Sequence, residues 1–341
     1  MSSIMSSKGR GLKYGLMLLS SVFLLLLSFL CSLAIGEVPF RLVDVPSILS
    51  DTASMEYGIL THIRIPRTVL ALAIGGSLSL CGVILQGIYR NPLVEPYTLG
   101  ISGGAAVGVT LAIVTGLAIK GIPLSIFGFA GALVTVFIVY ALSIRNNRMS
   151  TGKMVLIGVM ISFISSSVVM LLMSMTNAEQ LHGIIYWTMG SLNETDNAVV
   201  LTLLGVSLLM LASTLLFIVP LNAMRLGESK ARHLGINTNT IIRILFVITS
   251  LMTGSCIAVA GIIGFVGLII PHISRMLTGT DYRVLLPAAF LNGAIFLIWC
   301  DILARIVISP NELPIGVITG IFGGIAFIFI LSSRRLKSRL L

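Results

Sequence analysis

The sequence has little charge and few residues that could carry out chemistry. Asp, Glu, Lys and Arg make up 10% of its 341 residues, whereas 56% are hydrophobic and the mean hydropathy is +1.07. The four cysteines lie in apolar stretches without paired spacing, and the four histidines are equally scattered. This pattern predicts small buried side chains rather than disulfides or ligands, so we expect no metal site and no catalytic residue. The composition is typical of a polytopic membrane protein and excludes a soluble enzyme.

The chain also lacks the signals of two ways of driving transport. It has no Gly-x-x-x-x-Gly-Lys-[Ser/Thr] phosphate-binding loop, since Gly152-Lys153-Met154 lacks both the upstream glycine and the hydroxyl. No charged residue falls at the centre of a long apolar stretch, where transporters driven by protons or sodium carry ionisable sites. An ion-coupled secondary transporter is the alternative, but the pattern favours transport powered by another polypeptide.

Long uncharged stretches recur along the chain. A helix needs about 20 apolar residues to cross the roughly 30 Å hydrocarbon core of a bilayer. The stretches are Tyr14–Ile35, Thr68–Tyr89, Tyr97–Ile119, Gly121–Ile144, Met154–Ala178, Asn197–Met224, Ile244–Ser274, Val284–Cys300 and Leu313–Ser333. The seventh of them is long for one helix and short for two, and Gly261 and Gly264 could turn the chain in its middle.

The positive charges indicate how often the chain crosses the membrane. If Ile244–Ser274 crosses twice, the chain has ten spans with both termini on one side. Only five of the 22 Lys and Arg residues then lie on the other side, namely Arg41, Arg64, Arg67, Lys120 and Arg305. A single crossing there gives a nearly even split. Because Lys and Arg concentrate in cytoplasmic loops, we predict an all-α protein with ten transmembrane helices and cytoplasmic termini. The net charge of +10 then serves membrane insertion and needs no nucleic acid partner.

Several separated blocks carry a family resemblance. In order, they are Arg64–Arg67, Gln86-Gly87 with Arg90–Leu93, Leu99–Ala105, Trp187–Ser191, Leu234-Gly235, Gly264–Arg275, Asp301–Arg305 and Glu312–Gly316. Together they resemble the permease subunit of type II ABC importers, which take up iron–siderophore complexes, haem and cobalamin. The match covers nearly the whole chain from about residue 60 onward.

The resemblance implies an architecture and a set of partners. Residues 1–341 would form a single transmembrane permease domain with a cytoplasmic coupling segment at about 221–240. The permease would pair with a second copy of itself, two ATP-binding subunits and an external substrate-binding protein in the cell (inner) membrane, surrounded by lipid. No cofactor is expected on this chain, because ATP and Mg would be used by the partner subunits. The sequence does not indicate which chelate is carried.

Three arginines at predicted external span ends are candidates for docking. The resemblance implies that Arg64, Arg67 and Arg305 receive glutamates from the lobes of the binding protein. Two other interpretations are interfacial snorkelling and a local ion pair with Asp301 or Glu312. Charge pairs at such an interface would contribute more to registry and encounter rate than to affinity.

A polar stretch after the sixth predicted span is the candidate coupling segment. Its charged residues alternate with apolar ones, and Gly227 and Gly235 would break it into two short helices joined at a turn. The alternative is a solvated connector. By resemblance, this segment would sit in a groove of the ATP-binding subunit. Its candidate contact residues are Leu226, Gly227, Glu228, Ser229, Ala231, Leu234 and Gly235.

The cytoplasmic end of the second predicted span is a candidate gate. Pro92 prevents a continuous helix and biases Asn91 toward an extended conformation, which a simple turn would also explain. By resemblance, Asn91 and Leu93 meet their copies in the second permease chain. Ser150 and Thr151, before the fifth predicted span, would form a neighbouring constriction.

Overall fold

The computed structural model describes residues 2–36, 38, 40–117, 123–145 and 148–332. Within these ranges the fold is helical apart from one antiparallel pair of two-residue strands, Ile144–Arg145 and Arg148–Met149. The predicted span ends at Ile119, Gly121 and Ser333, and Lys120, lie outside the described residues. The helices are α1 Ser2–Ala34, α2 Val45–Ser50, α3 Met55–Ile59, α4 Ile65–Tyr89, α5 Ile101–Val114, α6 Leu124–Ser143, α7 Thr151–Ser174, α8 Ala178–Thr188, α9 Asn197–Leu215, α10 Ile218–Met224, α11 Glu228–His233, α12 Thr238–Ala260, α13 Val266–Thr278, α14 Tyr282–Ile306 and α15 Ile315–Ser332.

The long helices correspond to the predicted apolar stretches. Seven of them in the described chain are long and apolar enough to cross a membrane: α1, α4, α6, α7, α9, α12 and α14. Helices α5, α13 and α15 are apolar but shorter. The all-α prediction is therefore confirmed, as is a multi-pass arrangement by length and composition. Ten crossings stay a prediction, because three of the ten corresponding helices are shorter than a full span.

Helix α4 forms the centre of the packing. Most of its apolar length is buried, and α9, α12, α13 and α14 pack around it. Its glycines allow this close approach, since a Cβ atom placed on Gly82 would lie 1.9 Å from the carbonyl oxygen of Gly267 in α13. Small residues at such crossings let helix backbones meet in a membrane. Helix α4 is therefore a buried axis that connects the two ends of the molecule.

The stretch from 244 to 274 divides where the glycines predicted a turn. Helix α12 ends at Ala260, and α13 begins at Val266. Gly261 has φ +68°, a left-handed conformation that side chains rarely adopt, so glycine suits this position. The break gives two helices in place of one continuous helix, as the two-crossing interpretation requires.

Candidate functional site

The predicted docking and gate residues lie at opposite ends of α4. Arg64 and Arg67 are at its beginning, whereas Arg90 caps its other end in a left-handed conformation with φ 50°. Twenty-five helical residues separate the ends by about 37 Å. This length matches a bilayer core with its margins. The two groups can therefore serve different faces of a membrane.

An ion-pair network joins α4, α14 and the segment before α15. Arg67 Nε lies 2.6 Å from Asp301 Oδ1, and Arg67 Nη1 lies 2.7 Å from Glu312 Oε2. Arg305 Nε lies 3.1 Å from the other Asp301 oxygen, so one buried carboxylate serves two guanidinium groups. Asn193 also accepts a hydrogen bond from Arg67, at 3.1 Å. The network fixes the relative positions of three segments that are distant in sequence.

Two of the arginines also terminate the first helix. Arg64 donates to the carbonyl oxygens of Leu33 (2.5 Å) and Ala34 (3.3 Å), and Arg305 donates to those of Ser32 (3.3 Å) and Ile35 (3.0 Å). The last carbonyls of a helix have no partner within it and carry a partial negative charge. The two guanidinium groups therefore cap α1 and hold its end against α4 and α14.

All three candidate docking arginines are buried in this arrangement. Their exposed fractions are 4% for Arg64, 6% for Arg67 and 7% for Arg305. For Arg67 and Arg305 the local pairing that the sequence left open is present. All three reach a cavity of about 180 Å³ at this end of the molecule, which Gly36, Val38, Ile59, Ile63, Pro310 and Glu312 also line. Docking by these residues stays a prediction, and any partner group would reach them through this cavity.

The candidate coupling segment contains two short helices, α10 and α11, as the glycine positions predicted. Gly227, with φ +109°, separates them, and Gly235 follows α11 with φ +83°. Ala231 is buried against the protein, whereas Leu226 and Leu234 are 59% and 64% exposed. Glu228 and Arg232 form an exposed pair within α11. The segment therefore presents two leucines that no described part of the chain covers well.

The two candidate gate segments lie near each other and near the coupling segment. The Asn91 side chain accepts a hydrogen bond from the Leu93 backbone N–H at 2.9 Å, which forms the turn that Pro92 predicted. The Tyr89 hydroxyl lies 3.4 Å from Met154 Sδ at the start of α7, just after Ser150 and Thr151. A Cβ atom placed on Gly227 would lie 3.7 Å from Arg90 Nη1. Gate and coupling residues thus share one end of the molecule.

Sequence reasoning missed a link between the coupling segment and the loop before α14. The Asn222 amide donates to Asp281 Oδ1 at 2.9 Å, and Arg225 donates to the Thr280 hydroxyl. Desolvation alone would raise the pKa of the Asp281 carboxyl, but hydrogen bonds from the Arg283 backbone N–H and the Asn222 amide hold that pKa below its usual value. Asp281 is therefore charged at neutral pH. No sequence motif joins these residues, which are 59 positions apart.

Comparison with known proteins identifies the family. Residues 24–333 match the FecCD transport family. The chain belongs to the FecCD transport family. It is therefore a transport permease and a multi-pass membrane protein.

Relatives of this chain have names that specify cargo. This chain is 35% identical over 294 residues to the hemin transport system permease protein HmuU of Yersinia pestis. The match covers 84% of this chain and 86% of the relative. The chain is 37% identical over 313 residues to the vitamin B12 import system permease protein BtuC of Klebsiella pneumoniae, with 92% of each chain covered. The chain therefore spans most of the length of both relatives.

A solved structure shares the fold of this chain. It is described as an inward-facing conformation of a metal-chelate type ABC transporter. Its TM-score to this chain is 0.81 at 31% sequence identity, and the match covers 94% of this chain and all of the other. The arrangement around α4 is therefore the fold of an ABC transporter permease.

Proposed function

We propose that this chain is the permease subunit of an ATP-driven importer that moves a metal chelate into the cytoplasm. Two copies would form the transport path. Two ATP-binding subunits would bind them on the cytoplasmic face, and a substrate-binding protein would bind them on the external face. The proposal rests on the difference between the two ends of α4. A buried arginine network lies at one end, and the gate and coupling segments lie at the other. ATP hydrolysis belongs to the partner, because the sequence lacks a phosphate-binding loop.

The proposed cargo is a metal chelate such as haem or cobalamin, since permeases named for both match this chain along most of its length. An iron–siderophore complex belongs to the same class of bulky chelate. Purifying the partner binding protein and measuring its binding of hemin, cobalamin and a ferric siderophore would identify the cargo. Binding of none of the three would contradict the proposed class.

The experiment that tests ATP coupling is reconstitution. We expect the permease to co-purify with an ATP-binding subunit and to import chelate into proteoliposomes with external binding protein and internal ATP. Import should persist after ionophores collapse the proton and sodium gradients. Import that stops when the gradients collapse, and that does not depend on ATP, would instead support the ion-coupled alternative.

Docking is proposed for Arg64, Arg67 and Arg305, whose charges a partner carboxylate would meet at the external cavity. Arg64→Gln should weaken binding-protein association about tenfold, whereas Arg64→Lys, which keeps the charge, should weaken it less. Affinity is measured in nanodiscs at two salt concentrations, because an electrostatic contact weakens as salt rises.

The control for docking is stability, because Arg64 also caps α1. Both variants lose part of that cap, so their unfolding midpoints should fall together. Equal losses of affinity in the two variants would indicate that the arginine acts through the fold and would remove the case for docking.

The gate is proposed to consist of Asn91 and Leu93, with Ser150 and Thr151 beside them, around the axis that relates two permease copies. Leu93 is 51% exposed, and it lies at the end of the molecule that carries the coupling segment. Spin labels on Leu93→Cys in the two copies should report a distance that changes when ATP binds. A constant distance through the ATP cycle would exclude Leu93 from the gate.

A further inference from the structure

The loop between α13 and α14 contacts the coupling segment. Asn222 in α10 donates to Asp281 and accepts from the backbone N–H of Tyr282 at 3.3 Å. Arg225 contacts both Asn222 and Thr280. These contacts fall on Thr280 and Asp281, in the loop that directly follows α13, and on Tyr282, the first residue of α14. A displacement of α10 would therefore pull on this loop.

The middle of α13 is joined to α4 by a buried polar contact. Pro271 has no backbone N–H, so the carbonyl of Gly267, four residues earlier, lacks its usual helical partner. Gln86 of α4 donates to that carbonyl at 3.2 Å and to the Leu268 carbonyl at 3.3 Å. Its own oxygen accepts from Arg275 at 2.6 Å. Gln86 therefore binds α13 at two points one turn from the end of α4.

The beginning of α13 is joined to the segment that follows the gate. The Tyr97 hydroxyl donates to the Ile263 carbonyl at 2.7 Å and accepts from the Ile263 N–H at 3.2 Å. Unwound backbone inside a membrane protein needs such partners. The chain that leaves the gate at Leu93 is thus anchored on the start of α13.

We infer that α13 is the element that transmits motion of the coupling segment to the gate, with Asn222, Asp281 and Gln86 as positioning residues. This inference rests on the proposed function, since it supposes an ATP-binding subunit on the coupling segment. Helix α13 is short and has Gly261 before it and Gly279 after it, both with positive φ, so it can shift as a rigid unit between hinges. Its three attachments lead from α10 to both sides of the gate segment.

An exchange of the two polar partners tests the first attachment. Asn222→Asp removes the amide donor and places a carboxylate against Asp281. Adding Asp281→Asn supplies an amide that can donate to the new carboxylate, which restores the bond in the opposite direction. Because Asp281 Oδ1 accepts both from Asn222 and from the Arg283 N–H, Asp281→Asn alone is the control for a change in the α14 cap. Spin labels on Leu93→Cys report the gate in complexes with the ATP-binding subunit, with native cysteines replaced by alanine. The distance is measured without nucleotide and with ATP and vanadate.

With ATP and vanadate, some complexes show the ATP-induced gate distance and the others show the resting distance. We expect Asn222→Asp to lower the ratio of the first population to the second about tenfold, which lies within the usual range of coupling free energies. ATP-subunit binding should be unchanged, and the Asn222→Asp/Asp281→Asn variant should recover within about threefold of the unmodified ratio. The control is Trp299→Phe, which removes a hydrogen bond between α14 and Ser28 of α1, away from this route. It should leave the gate response intact.

The outcomes separate this inference from the proposed function. If the unmodified permease binds no ATP-binding subunit, or its gate ignores ATP, the proposed function fails. If the unmodified gate responds and Asn222→Asp responds equally, the inference about α13 is overturned. A double variant that responds no better than Asn222→Asp, while Asp281→Asn alone responds like the unmodified protein, would also overturn it. So would an equal loss in Trp299→Phe, because the effect would then not follow this contact.

Discussion

Asp301→Leu is expected to destabilise the permease by about 3–5 kcal/mol, the usual cost of removing one partner from a buried ion pair. The Asp301 side chain is 1% exposed and lies within 3.1 Å of guanidinium nitrogens from both Arg67 and Arg305. Without it, two positive charges stay buried beside each other. The same arginines hold Glu312 and the end of α1, so the outer end of the molecule should loosen. The unfolding midpoint of the purified protein in detergent measures the loss.

Glu312→Gln is the matched control for this prediction. Glu312 pairs with the same Arg67 at 2.7 Å, but its side chain is 39% exposed, and exposed ion pairs contribute only about 0–1 kcal/mol. We therefore expect a much smaller shift of the midpoint. Similar small shifts in the two variants would contradict the view that the Asp301 carboxylate compensates the buried arginines.

The pair of substitutions Leu226→Asp and Leu234→Asp is expected to weaken binding of the ATP-binding subunit by at least about thirtyfold, the effect of losing a central apolar anchor. Both leucines are more than half exposed beside α11. If the coupling segment binds in a groove of the partner, as the sequence predicts, each substitution removes an apolar contact there and brings an unpaired charge into the groove. The affinity of the detergent-purified permease for the ATP-binding subunit is the measurement.

Leu42→Asp and Leu49→Asp provide the control. These leucines are similarly exposed, at 42% and 45%. They precede α4 and so lie at the end of the molecule that carries the arginine network. They should leave the affinity for the ATP-binding subunit unchanged. If the control pair weakens binding as much as the test pair, the coupling segment is not the contact surface.

Much of the fold could be predicted from the sequence, because bilayer thickness and helix geometry set local rules. The apolar stretches predicted the positions of the long helices, and glycines predicted the break after Ala260 and the turn at Gly227. The pairing of Arg67 with Asp301 and Glu312 is one of the alternatives to docking that the sequence left open. These features depend on residues that are near in sequence, or on the choice of an ion-pair partner among few charged residues.

The remaining features depend on tertiary contacts that no local pattern contains. The capping of α1 by Arg64 and Arg305 requires helix ends separated by about 30 and 270 residues to meet. The Asn222–Asp281 contact likewise joins two distant segments. One missed contact did leave a signal, since Pro271 within an apolar helix implies an unpaired carbonyl at Gly267 that needs a buried donor. In the structure Gln86 of α4 supplies that donor.

Membrane sidedness tests the whole account most directly. Thr52 and Ser229 are exposed residues at opposite ends of the protein, so Thr52→Cys and Ser229→Cys report the two faces. In right-side-out vesicles, a membrane-impermeant maleimide should label position 52 at once and position 229 only after the vesicles are opened. Equal labelling of both positions in sealed vesicles would contradict an importer that receives cargo on one face and its ATP-driven partner on the other.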